Sequence, residues 1–174
     1  MKGKKEFVLL FFFLGMFLFR LNMFSIVHEV GHLVACWMTG SPAVLKNWMT
    51  TETQFLTPFS LYAGFVFQAI VLYTLSILFV RKDISSRWGF LFWGAFHGAV
   101  IIGYLSTDFN HTALQLLGHP GLVALGRNIW LAVTLPAAGL GWYLLLKSIT
   151  FNQNEGFTKF MERIRKRLGL PTGE

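Results

Sequence analysis

Within an apolar stretch near the start of the chain, His28-Glu29-Val30-Gly31-His32 sets two imidazoles four residues apart, with a carboxylate beside the first. On a helix that step puts both rings on one face a turn apart, the spacing at which two side chains can grip one divalent ion. Imidazole pairs suit zinc. Glu29 would then stand beside the ion and take a proton from water whose pKa zinc lowers to about 7, leaving a hydroxide to attack a carbonyl carbon. The expected chemistry is metal-assisted peptide hydrolysis, with one zinc ion per chain. An acidic residue at the centre of a membrane span costs about 2.5 to 3.5 kcal/mol, so three ionisable groups within five residues are hard to explain as packing.

A hydrolytic zinc usually has three protein ligands and an open position, so a third must come from elsewhere. Asp108 is the expected donor, being the one acidic residue near the end of the third apolar block, with His111 as its competitor. Asn110 is better suited to hydrogen-bonding a substrate. His97, beside Gly94 and Gly98, reads as a histidine bonded to a backbone carbonyl in a close helix contact. His119 precedes Pro120 in a loop and carries little signal.

The elements that must position these groups are apolar helices. Of the 174 residues, 54% are hydrophobic and 13% charged, against roughly 25% charged in soluble domains. Four blocks are long enough to cross a bilayer, at about 20 apolar residues per span: Phe7 to about Met38, Pro58 to Val80, Trp88 to Leu105, and Asn128 to Leu146. The expected fold is all-α, a polytopic membrane bundle of about four transmembrane helices. Thr39 to Thr57, Arg81 to Arg87 and Ser106 to Arg127 read as loops or re-entrant pieces. Residues 1–150 form the expected transmembrane domain, and 151–174 a basic tail whose Phe157 to Leu168 suits an interfacial amphipathic helix.

The first thirty-odd residues fit one long span that tilts or protrudes. A basic start and apolar run up to Leu21 resemble a signal peptide, but no small-residue cleavage site follows, and a retained span is expected. The net charge of +7 is concentrated at the N-terminus, around Arg81 to Arg87 and in the tail. That distribution favours anionic lipid over nucleic acid and puts both termini on the cytoplasmic side; the expected location is the cell membrane of a prokaryote. Parity then brings the later part of the first span and the end of the third to the same membrane side, whichever way the chain inserts. The lone Cys36 makes no internal disulfide.

The segment from Ile26 to Ala35, followed by Gly40, resembles the first core helix of the site-2 protease family of intramembrane zinc metalloproteases. Ala63-Gly64-Phe65-Val66-Phe67-Gln68 is similar to that family's second-helix pattern of Gly followed four residues later by Asn, with Gln68 in the Asn position. Thr107-Asp108 is similar to its third motif. The resemblance covers roughly residues 20 to 111. It implies a three-helix core, zinc held by His28, His32 and Asp108, Glu29 as general base, and Gln68, Asn110 or His111 as substrate contacts or alternative ligands. It also implies a membrane-protein substrate, unwound and presented as an added strand by the loop before Pro58. Two features depart from the family: Phe109 follows Asp108 where Gly is usual, and the charge count puts the site near the outer face.

A catalytically silent, metal-binding membrane scaffold is the main alternative. A metal transporter would need ligands at several depths on more than one helix, and haem cannot be held between two histidines on the same helix face.

Overall fold

The structure is a computed structural model that describes residues 2–81, 86–105 and 117–167, with side chains from 8 to 79, 87 to 105 and 117 to 147. Helices α1 (Lys2–Arg20) and α2 (Ser25–Met38) lead into strands β1 (Ala43–Asn47) and β2 (Thr50–Thr53), followed by α3 (Pro58–Arg81), α4 (Ser86–Leu105) and α5 (Gly121–Arg167). Among the described residues, three helices are long and apolar enough to cross a membrane, and the α1–α2 pair makes a fourth crossing if its bent halves count as one.

The expected single first span is instead broken, with its halves bent by 58°. Asn22 adopts φ 59°, a left-handed conformation that Asn tolerates better than most residues. Around it, Met23 N–H bonds to Leu18 C=O and Asn22 N–H to Phe19 C=O, the paired closure that ends helices on a left-handed residue. Gly40 at φ 73° ends α2 in the same way, with Ser41 N–H on Cys36 C=O and Gly40 N–H on Trp37 C=O.

The segment expected as a loop then forms an antiparallel hairpin that pairs Ala43 with Thr53, Val44 with Glu52 and Leu45 with Thr51. Its Lys46 ammonium is bonded to Glu52, which holds Lys46 above its usual pKa through the hydrogen bond first and the charge second. α3 starts on a reciprocal cap. Thr57 Oγ1 accepts from Ser60 N–H at 3.1 Å while Ser60 Oγ accepts from Thr57 N–H at 3.0 Å, with Pro58 at the first helical position, where no donor is needed.

Glycines set the central crossing. A Cβ on Gly94 would lie 1.8 Å from Phe12 O, and one on Gly15 1.9 Å from Leu91 O, so α1 and α4 touch backbone to backbone. Around that contact Phe90, Trp93, Ala95 and Ala99 are fully buried, and Trp93 stacks on Phe96 at 4.9 Å. α5 begins at Gly121, seven residues before the expected start, and continues unbroken to Arg167. Its backbone therefore joins the fourth span to the basic tail in one helix of 47 residues, about 70 Å long.

Candidate metal centre

His28 and His32 lie one turn apart on α2 and aim their Nε2 atoms at each other, 2.9 Å apart. His32 Nδ1 is 2.6 Å from the carbonyl oxygen of Ser60, in the first turn of α3. A carbonyl only accepts, so the Nδ1 nitrogen carries a hydrogen, and in the neutral ring Nε2 then presents a lone pair. Metal-ligating histidines are oriented in this way, by donating their other N–H to an outer acceptor. Two nitrogens at 2.0 to 2.1 Å from one tetrahedral ion lie about 3.3 Å apart. The observed separation is within a few tenths of an ångström of that value.

Gly64 of α3 packs directly against this pair. A Cβ there would lie 2.4 Å from His32 Nε2 and 2.7 Å from His28 Nε2, so only a hydrogen leaves the ligand atoms accessible. Gly31 plays the matching part on α2, where a Cβ would lie 2.7 Å from Ala63 O. The donor chemistry, the locked tautomer and the space kept by Gly64 fit a divalent metal.

A cavity of about 290 Å³ adjoins the pair, lined by His28, Glu29, His32, Cys36 and Ser60 from the helices and by Met49, Thr50, Thr51 and Thr53 from the hairpin. Thr51 Oγ1 donates to the Glu29 carbonyl at 3.0 Å, tying β2 to α2 at the motif. A larger cavity of about 470 Å³ lies between α3 and α5 and is almost wholly apolar. It contains no acid, base or nucleophile beyond tyrosine and threonine hydroxyls, and Tyr62 Oη is committed to Leu122 C=O at 2.9 Å. Of these two cavities, the smaller is the one lined by groups that can do chemistry.

Among the described residues, no third His, Cys, Asp or Glu joins the two histidines to complete a metal-binding group. The expected third ligand Asp108, its competitor His111, and Asn110 lie outside the described residues. The end of α4 nevertheless approaches the site. The Phe65 ring sits 4.4 Å from that of His28, and a Cβ on Gly103 would meet Phe65 Cδ1 at 3.2 Å. Gln68 is buried, but its amide donates to Phe24 C=O at 2.8 Å.

His97 has both nitrogens in use, Nδ1 on Trp93 C=O at 3.0 Å and Nε2 accepting from Trp142 Nε1 at 3.2 Å. The expected carbonyl bond is present, and the second partner leaves no free nitrogen for a metal. His119 is exposed in a turn. The residue that sequence reasoning missed is Ser60, which acts through its carbonyl. A backbone acceptor leaves no mark in residue type.

No family model, curated protein or solved structure matches this chain.

Proposed function

We propose that the chain is an intramembrane zinc metalloprotease that hydrolyses peptide bonds in or near transmembrane segments of other membrane proteins. The observation that carries this reading is the convergence of the two Nε2 atoms, one tautomer locked by Ser60, on a partly polar cavity within a bundle of apolar helices. His28 and His32 would hold the ion through Nε2, with Asp108 as the proposed third ligand. A bound zinc supplies Lewis-acid polarisation of the scissile carbonyl and acidifies water at the site.

The protein's own groups do the rest. Glu29, on the same cavity wall, accepts the proton that the attacking water loses and returns it to the leaving amine. The hairpin borders the cavity through β2, and a two-stranded sheet leaves its outer edges with unpaired backbone N–H and C=O groups. An unwound substrate segment can pair there as a third strand, with its peptide bond carried towards the histidines. Thr50, Thr51 and Thr53 line the cavity and offer water a polar surface there.

The test is turnover of quenched fluorogenic single-span peptides by the full chain in lipid vesicles. Wild type cleaves members of such a panel, and Glu29→Gln lowers turnover by about 10² to 10⁴-fold while keeping its metal. Cleavage that is indifferent to the Glu29 carboxylate would leave the scaffold reading in its place.

A further inference from the structure

Three contacts between α2 and α3 step together along both helices. The Ser60 carbonyl meets His32, Gly64 meets His28 and His32, and Gln68 Nε2 donates to the Phe24 carbonyl. Residues 60, 64 and 68 form one stripe of α3, while 32 and 28 of α2, with Phe24 just before it, form the opposing stripe, so each four-residue advance on one side is matched on the other. Two of these contacts are made by the proposed ligands. The third is made by a residue with no part in the chemistry.

Gln68 is only 3% exposed, and its Oε1 has no partner among the described residues. A buried amide with an unmet acceptor is costly, and an apolar side chain of similar volume would not carry that cost. Phe24 stands immediately before α2, where the chain has just turned, and no side chain caps that helix start. On one side of the bend, α1 is fixed to α4 through Gly94 and Gly15; on the other, α2 lies on α3. Gln68 is thus the side-chain strut at the junction.

We propose that Gln68 is a positioning residue that fixes the rotation and register of the head of α2 against α3, so that His32 meets the Ser60 carbonyl and both histidines face Gly64. This inference rests on the metal reading above. A side-chain tip about 6 Å from a helix axis moves through roughly 2 Å when the helix rotates by about 20°, the full length of a zinc–nitrogen bond. A small loss of register would therefore carry His32 off the Ser60 carbonyl and both nitrogens off the space at Gly64 together.

The experiment is a Co²⁺ titration of the full chain in detergent, read by the visible ligand-field spectrum. Wild type is compared with Gln68→Met and with Ser76→Ala, a second buried polar site on α3, whose Oγ donates to Gly89 C=O at 2.9 Å. Positioning predicts that Gln68→Met weakens Co²⁺ binding 10 to 100-fold and alters the spectrum. Ser76→Ala should lower the thermal midpoint while leaving affinity and spectrum at wild-type values. Wild-type affinity and spectrum in Gln68→Met would overturn the inference and leave the metal reading intact, whereas a wild type that does not bind Co²⁺ overturns both. If the methionine variant does not fold, Gln68→Asn, one methylene shorter, must show the same loss, and wild-type binding there overturns the inference equally.

Discussion

At the scale of single residues, Gly64 is as necessary to the site as the histidines it faces. Its absent side chain occupies no volume where both Nε2 atoms converge, and a Cβ 2.4 Å from His32 Nε2 cannot be accommodated without moving the imidazole. Gly64→Ala is therefore expected to abolish stoichiometric metal binding with the helices still formed, as checked by metal analysis alongside circular dichroism. Ser60 acts through its backbone, so Ser60→Ala should keep the carbonyl on His32 Nδ1 and retain metal. What that substitution removes is the Oγ that accepts from Thr57 N–H, and the loss of such a cap contact costs about 1 kcal/mol of stability, measurable as a lower thermal midpoint.

At the scale of elements, the bend between α1 and α2 sets the direction of the helix that carries the motif. Asn22→Ala places an alanine at φ 59° and should cost about 1 to 2 kcal/mol, whereas Asn22→Gly should hold the midpoint near wild type. Gly94→Ala pushes a methyl into Phe12 O; overpacking of this kind costs about 1 to 3 kcal/mol, and thermal melts of the detergent-solubilised protein would report it.

These elements also show what the sequence made legible. The apolar blocks marked the helices because hydrophobic length is written in residue type, and the close approach at Gly94 and Gly98 followed from the missing side chains. The break at Asn22 escaped notice because it lies within a run that stays apolar on either side, so composition gives no boundary and only the left-handed tolerance of one residue does. The hairpin has no strand signature in residue type, because Thr50 to Thr53 pairs with Ala43 to Asn47 through the backbone, without a long alternation of apolar residues. Within the site, the paired imidazoles were visible from their spacing. The Ser60 carbonyl and the Gln68 strut depend on how α3 crosses α2, which no local pattern encodes.

At the scale of the whole molecule, the proposed membrane reading joins α1 and α2 into one bent crossing, followed by α3, α4 and α5 as three more. Four crossings put the start of α1 and the basic end of α5 on the same side, with the hairpin opposite. Cysteines introduced at Lys2 and Trp48, with Cys36 replaced, should label from opposite sides of sealed vesicles. Labelling from the same side would mean that α1 and α2 form a re-entrant pair and that only three helices cross. The site lies beside the hairpin in either case, so this outcome decides which compartment supplies its water.

In the proposed site, His28 and His32 form a metal-binding pair served by Glu29. The most direct test is the zinc content of zinc-supplemented, detergent-purified protein, measured by elemental analysis for wild type, His32→Ala and Glu29→Gln. About one zinc per chain in wild type and Glu29→Gln, and none in His32→Ala, is the predicted result. A wild type without zinc, or a His32→Ala variant that keeps it, would contradict the claim.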